Sequence, residues 1–346
     1  MAPPADPTSP SALPAFLDHG RPPVPDLVVP RGVLPFHIEG QPVRGRLVRL
    51  GPLADAILGR HDHPPVAAAL LGQGLALVAG LASALKFSGS FSVQAQGDGP
   101  IPVLLADCTD QGALRGYVRS HPDRLAPLME AAATGPAEGA GGDGAATAPD
   151  AATLLGKGHL AFTCDQGPNM TRYQGLVAIE GATLSEMAEH YFRTSAQLPT
   201  HVHLAAARNA EGAWRAGALF LERIAGAAQG AATPDAAEAG AEAWRTAVAL
   251  AATLTDAELL DDSLPGPELL RRLFATEGTV VLDRARSLAY GCRCSRARLS
   301  EILERFPAEE LDEMVQEDGA ITMNCEFCNL GFRFERSELQ GGARRG

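Results

Sequence analysis

Between Ser90 and Leu105 apolar and polar side chains alternate: Phe91, Val93 and Ala95 fall on one side of an extended chain, Gln94 and Gln96 on the other. The GDGP stretch at 97–100 interrupts the alternation. Its Asp-Gly pair tolerates positive φ, so the pattern predicts a β-hairpin. A phosphate-cradling loop is the competing reading of the same glycines, but neither a P-loop lysine nor a dinucleotide fingerprint accompanies them. Further strands are predicted at LRGYVRS, GHLAFTC, YQGLVAIE, HVHLAAA and AWRAGALFLERI, separated by glycine-rich and polar turns.

Helical periodicity takes over at three places. In GATLSEMAEHYFR, Thr183 and Glu186 are spaced as a capping box, and Leu184, Met187, Ala188, Tyr191 and Phe192 share one face. Thr255 and Glu258 repeat the box, and Pro267 opens a helix whose apolar face is Leu269, Leu270, Leu273 and Phe274. Residues 66–85 carry no charge over the length of a membrane-spanning helix. Their alanines, three glycines, Gln73 and Ser83 fit a buried helix better than a span.

These patterns define an α+β protein: a sheet-rich core domain with packed helices over 33–229, a helical linker over 230–285, and a small C-terminal metal-binding lobe over 286–336. Residues 1–32 are proline-rich without the basic and apolar regions of a signal peptide, and read as a disordered tail; 337–346 form a second tail. Residues 131–152 are low in complexity and read as an insertion within the core domain. At 346 residues with 46% hydrophobic content the chain can bury a sizeable core. A net charge of -12 opposes unspecific binding to nucleic acid or anionic lipid, which leaves proteins and small molecules as partners.

Four of the six cysteines carry the chemistry. Cys292 and Cys294 form a Cys-x-Cys pair, Cys325 and Cys328 a Cys-x-x-Cys pair, and thirty residues lie between the pairs. Four thiolates fill a tetrahedral Zn²⁺ shell and leave no position for a catalytic water. A lobe of this size has little core of its own, so zinc would dominate its stability. Clustering at ligand spacing, instead of dispersal through a disulfide framework, fits the reducing cytoplasm. Three roles stay open on spacing alone: constitutive structural zinc, a redox-sensing zinc, and a thiol-disulfide oxidoreductase. Each sulfur has a neighbour with which a sulfenic acid can condense. Arg293, Arg296 and Arg298 read either as offsetting the site's negative charge or as ordinary surface arginines. Leu299, Ile302, Leu303 and Phe306 predict a helix between the pairs, and a second runs from Pro307 to Gly319. Residues 320–324 read as extended, with Phe332 and Phe334 packing beneath the metal. Cys108 and Cys164 read as core residues, and the histidines at 61, 63, 201 and 203 as turn and strand residues rather than ligands. No serine, histidine and acid set is arranged for nucleophilic catalysis, so no enzyme is expected.

The stretches LKFSGSFSVQAQGDGP, LRGYVR, RYQGLVAIEGATLSEMAEHYFRTSAQLPT and ILERFPAEELDEMVQEDGAITMNCEFC, with the CRCS that precedes the last of them, resemble the bacterial 33 kDa chaperonin family. The resemblance runs from about Val33 to Phe334; the proline-rich tail and the 131–152 insertion lie outside the usual pattern. It implies an ATP-independent holdase kept inactive by one Zn²⁺ on Cys292, Cys294, Cys325 and Cys328. It further implies disulfides within each pair on oxidation, Cys292 with Cys294 and Cys325 with Cys328, followed by zinc loss, unfolding of lobe and linker, dimerisation, and binding of unfolded client proteins.

Overall fold

The computed structural model describes residues 27–134, 149–166, 173–224 and 234–339. These fall into two compact units, one ending at Gly291 and one beginning at Cys292.

In the first unit β1 (Val28–Ile38) and β2 (Val43–Arg49) form a hairpin, followed by α1 (Pro52–Leu58) and α2 (Pro65–Ala84). A meander of β3 (Ser90–Gly97), β4 (Val103–Thr109) and β5 (Ala113–Arg119) precedes α3 (Pro122–Thr134) and α4 (Ala151–Leu155). Next come β6 (Gly158–Asp165), β7 (Tyr173–Ala178) and α5 (Leu184–Tyr191), whose end runs into a π-helical turn at Phe192–Ala196. Then β8 (Thr200–Arg208) and β9 (Trp214–Arg223) lead to α6 (Pro234–Ala251), α7 (Asp256–Leu260) and α8 (Gly266–Leu273), and β10 (Val280–Leu282) and β11 (Arg286–Tyr290) close the unit. The second unit holds α9 (Arg296–Leu303), α10 (Ala308–Glu313) and the hairpin β12 (Ala320–Asn324) and β13 (Gly331–Glu335).

Among the described residues the strands of the first unit make one 11-stranded sheet in the order β7-β6-β3-β4-β5-β11-β1-β2-β9-β8, with β10 also on β1. β11 joins two half-sheets. It runs parallel to β5 through Ala289 and Tyr290 and antiparallel to β1 through Ala289, Leu288 and Arg286. Alternation along β9 sends Ala216, Ala218 and Phe220 into one core and Leu219 and Leu221 into another, so this half of the sheet is buried on both faces.

The first face is covered by α2, whose buried residues lie all around the helix. It is long and apolar enough to cross a membrane, yet 78% of its apolar window is buried inside this unit, which accounts for the hydrophobicity as that of a core helix. Its glycines allow close approach: a Cβ on Gly80 would lie 2.1 Å from the Phe220 ring. The second face is covered by the linker. Ala247, Ala251, Leu254, Leu259, Leu269, Leu270 and Phe274 pack on Phe36, Leu47, Leu219 and Leu221. The Arg49 guanidinium donates to the carbonyls of Glu258 (2.7 Å), Asp261 (3.1 Å) and Leu264; His203 meets Asp256 at 2.8 Å and Arg215 meets Asp262 at 2.5 Å.

Several boundaries differ from the pattern reading. The strand β1 starts at Val28, because Val28 and Val29 pair with Ala289 and Leu288; residues 1–26 of the expected tail lie outside the described residues. Residues 286–290, expected in the lobe, are β11 of the sheet. Only Leu288 is buried there, too little to register as a strand. Of the expected insertion, 135–148 lie outside the described residues, while α3 and α4 take its ends. The alanine-rich stretch after 233 is helical in α6, as alanine's propensity favours.

The predicted hairpin forms, with Gln96 opposite Val103, but its glycines serve another purpose than positive φ. A Cβ at Gly97 would sit 2.2 Å from the Leu155 carbonyl oxygen, and one at Gly99 2.4 Å from the Leu155 carbonyl carbon, so the turn is pressed against the end of α4. Asp98 accepts from the Lys157 amide at 2.7 Å in the same contact. The Thr255–Glu258 capping box is complete. At α5 the Thr183 hydroxyl accepts from the Glu186 amide as expected, but the Glu186 carboxylate accepts one residue earlier, from the Ala182 amide.

One buried ion pair has a measurable consequence. Glu222 on β9 accepts from Arg46 at 2.6 Å and from Arg44 at 2.8 Å on neighbouring β2. Burial alone would raise its carboxyl pKa; Arg46 first, then Arg44, outweigh that and hold it below the usual carboxylate value. Glu222→Gln is expected to cost the sheet unit about 3 kcal/mol at neutral pH, since it leaves Arg46 buried without its counter-charge. A depressed folded pKa contributes stability above the unfolded value, roughly 4.3, and loses it as pH falls through the folded value. The gap between wild type and variant in urea unfolding should therefore narrow in acid; a gap unchanged between pH 7 and pH 3 would refute the assignment.

Candidate metal centre

The second unit is built around its four thiols. Cys292 and Cys294 lie on the extended segment before α9, which starts where the Ser295 hydroxyl accepts from the Arg298 amide. Cys325 and Cys328 lie in the turn of the β12–β13 hairpin. There the Cys325 amide donates to Leu330 O at 2.9 Å, the Asn329 amide donates to Cys325 O at 2.7 Å, and Asn329 takes a φ of 55°. Asparagine tolerates that left-handed conformation better than most side chains, and it turns the chain so that both sulfurs face inward. Asn329 is a positioning residue that spacing alone passes over; an Asn-Leu-Gly run directly after Cys-x-x-Cys is the signal that marks it.

The topology brings all four sequence-predicted cysteines together. Their sulfur atoms lie within 4.8 Å of one another and all four residues are buried. Cys292 Sγ is 3.5 Å from Cys294 Sγ and 3.6 Å from Cys325 Sγ, and Cys294 Sγ is 3.4 Å from Cys328 Sγ. A tetrahedron of sulfurs at ~2.3 Å from a central ion has edges of about 3.8 Å, so the cluster is already near the dimensions of a Cys₄ metal shell.

The electrostatics agree with an ion's place. Hydrogen bonding from Cys294 holds the Cys292 thiol down to about 7, and bonding from Cys292 holds Cys325 far below the ordinary thiol range. Cys294 and Cys328, each beside Cys292, are pushed up. Four thiolates cannot share so small a buried volume without a counter-charge. A divalent ion removes that conflict.

Beneath the sulfurs, Leu299, Leu303, Leu311, Ala320, Ile321, Phe332, Phe334 and Leu339 complete the buried interior of the lobe. Phe332 and Phe334 are buried as expected; Ile302 is exposed, and α10 stops at Glu313 rather than reaching Gly319, which turns the chain into β12 with a φ of 80°. The charged residues around this interior bind one another. Arg296 stacks on Phe334 with its guanidinium carbon 4.5 Å from the ring centroid and pairs with Glu338 at 2.5 Å, Arg333 pairs with Asp318, and Arg336 meets Asp312 at 2.6 Å. Arg298 donates to the Arg293 carbonyl at 3.1 Å. Arg296 and Arg298 thus serve the packing of the lobe.

The remaining candidates stay out of the centre. Cys108 on β4 and Cys164 on β6 are buried, both opposite Phe91 of the strand between them. His61 and His63 stack with centroids 4.7 Å apart, and burial pushes His63 down to about 4. His201 pairs with Glu189 at 3.0 Å and His203 with Asp256. Among the described residues the four-cysteine cluster is the only group of three or more possible ligands in metal-binding range.

A broad two-faced sheet domain followed by a small lobe with four clustered cysteines defines a class of proteins with a possible Cys₄ metal site. The family model described as Hsp33 protein matches residues 32–335. The 33 kDa chaperonin of Caulobacter vibrioides is 43% identical over 303 residues, 87% of this chain and 93% of that protein. The 33 kDa chaperonin of Nitrosococcus oceani is 33% identical over 305 residues, 88% and 91% of the respective chains. A crystal structure of an Hsp33 homologue from Thermotoga maritima has the same fold, with a TM-score of 0.67 at 21% identity over 90% of this chain and 97% of that one. The chain belongs to the Hsp33 family: it is a chaperone and not an enzyme.

Proposed function

We propose that the protein is a redox-regulated, ATP-independent holdase of the bacterial cytoplasm, with one Zn²⁺ held by Cys292, Cys294, Cys325 and Cys328 in the reduced state. The observation that carries this reading is the packing of four buried sulfurs within 4.8 Å in the small lobe of residues 292–339. Bound there, zinc would supply the charge that lets four thiolates coexist and would tie the segment before α9 to the β12–β13 turn. Peroxide converts one thiolate of a pair to a sulfenic acid, and its neighbour displaces water to form the disulfide; each pair gives up two electrons and each peroxide yields two waters. Disulfides Cys292–Cys294 and Cys325–Cys328 remove all four donors, and the small interior then fails to hold the lobe.

The sheet unit supports the client-binding half of the reading. Helices α6–α8 cover Phe36, Leu47, Leu219 and Leu221, so release of this linker bares a contiguous apolar face of the kind unfolded chains adhere to. The oxidised protein is proposed to act as a homodimer. Unfolded proteins are its partners, and nucleic acid and membranes are not.

Reduced and peroxide-treated protein should be compared for zinc content, free thiols and suppression of client aggregation at a mildly denaturing temperature. Zinc loss and gain of suppression are expected together. Suppression that stays the same after complete zinc loss would refute the switch, and catalytic turnover of disulfides at substoichiometric protein would replace it with a thiol-disulfide enzyme.

A further inference from the structure

A cleft of about 640 Å³ opens in the sheet unit where β1 exchanges one partner for another, pairing with β11 up to Val33 and with β10 from Phe36. Residues 283–288, which carry the chain from β10 into β11, line one side of it. β2, the end of α2 and the β4–β5 turn line the rest. The walls are fixed. The Asp283 amide donates to Pro35 O at 2.9 Å, and Gly112, with a φ of 82°, lies so close that a Cβ there would meet the Ser287 carbonyl oxygen at 2.3 Å.

Four arginines line this cleft: Arg44 and Arg46 from β2, Arg284 and Arg286 from the connector. The acids among the lining residues are Asp110 and Asp283. Asp283 stands 3.6 Å from His37, and Glu222 engages Arg44 and Arg46 from behind. The side chains of Arg284 and Arg286 are exposed and make neither ion pair nor hydrogen bond among the described residues. Lys86 joins Arg286 and Asp110 in a smaller depression that shares residues with the cleft. Positive charge is therefore in excess here, on a chain whose net charge is -12.

We infer that this seam cleft binds a small anion carrying two or more phosphoryl groups, gripped between Arg44 and Arg46 on one wall and Arg284 and Arg286 on the other. The planar fork of arginine matches phosphoryl oxygens two at a time, and the Arg46–Glu222 pair holds one wall's guanidinium in place before the ligand arrives. The volume lies within the roughly 300–1,000 Å³ of small-molecule sites and exceeds what a single phosphate fills. An anion held this way spans the connector and the body of the sheet, so it would also fasten 283–288 in place.

The test is titration calorimetry of the reduced, full-length protein at about 0.15 M salt, a concentration that screens diffuse surface attraction. Inorganic tripolyphosphate is expected to bind saturably at one site and to increase amide-exchange protection over 283–288. The double variant Arg284→Ala/Arg286→Ala should weaken binding at least tenfold, and Arg284→Lys/Arg286→Lys should fall between. Both arginines are exposed and unbonded, so zinc content and circular dichroism should match wild type in each variant. ATP in a parallel titration separates two sources of the same chemistry: equal affinity assigns recognition to the phosphoryl chain, and tighter binding assigns a share to the nucleoside. Absence of saturable binding by either probe, or binding unchanged in the alanine double variant, would overturn the inference.

Discussion

Cys325→Ser is expected to leave residues 292–339 without a stable fold and the protein without stoichiometric zinc. Cys325 occupies the corner of the β12–β13 turn, where its amide and carbonyl both close the knuckle, and its sulfur lies 3.6 Å from that of Cys292. If the proposed zinc site holds, the variant removes one of its ligands; such a site is worth about 10 to 16 kcal/mol in small zinc-folded peptides, while the net stability a domain this small draws from burial alone is marginal. Leu303, Phe332 and Phe334 pack, but on a lobe this small they do not suffice. Metal release assays and amide exchange across β12 and β13 measure the two outcomes directly. Retention of one zinc per chain with protected hairpin amides would contradict the assignment of Cys325 as a ligand.

Phe274→Ala should detach the linker while leaving the four cysteines intact. Phe274 is fully buried, with its ring centroid 5.8 Å from that of Phe36 on β1, and it follows directly on α8. Truncating a buried phenylalanine costs about 3 to 5 kcal/mol, a large share of what holds a short two-turn helix whose other buried anchors are Leu269 and Leu270. Exchange protection over 255–282 is expected to collapse, and a dye that reports exposed apolar surface should brighten. If the proposed function holds, reduced and zinc-loaded Phe274→Ala protein suppresses client aggregation without oxidation. An unchanged exchange pattern in the linker would show that α8 is held by something other than this contact.

The cysteine cluster was legible in the sequence because ligand spacing is local information. Two pairs at Cys-x-Cys and Cys-x-x-Cys single out these four residues as candidate ligands whatever the intervening fold. The meander and α5 were legible for a similar reason, since alternation around Val93 and the cap at Thr183 are written in neighbouring residues. What escaped depends on distant partners. Val28 and Val29 become strand only because Ala289 and Leu288 arrive beside them, about 260 residues later. The glycines at 97 and 99 carry no mark of the Leu155 backbone that requires them. The double-sided burial of β9 shows in the run Ala218–Leu219–Phe220–Leu221, but nothing in that run says that a linker helix provides the second cover.

The position of β11 also constrains the order in which the chain is made. Its five residues complete the seam between two half-sheets, yet they are among the last of their unit to be synthesised. At about 5–20 residues per second, tens of seconds at the slow end pass between the emergence of β1 and that of its partner. During that interval β1 and β5 each present an unpaired strand edge, the form of nascent chain most open to wrong pairing. This chaperone thus passes through a stage of its own synthesis in which two strand edges await a closing segment, and the closing segment ends just before the cysteines.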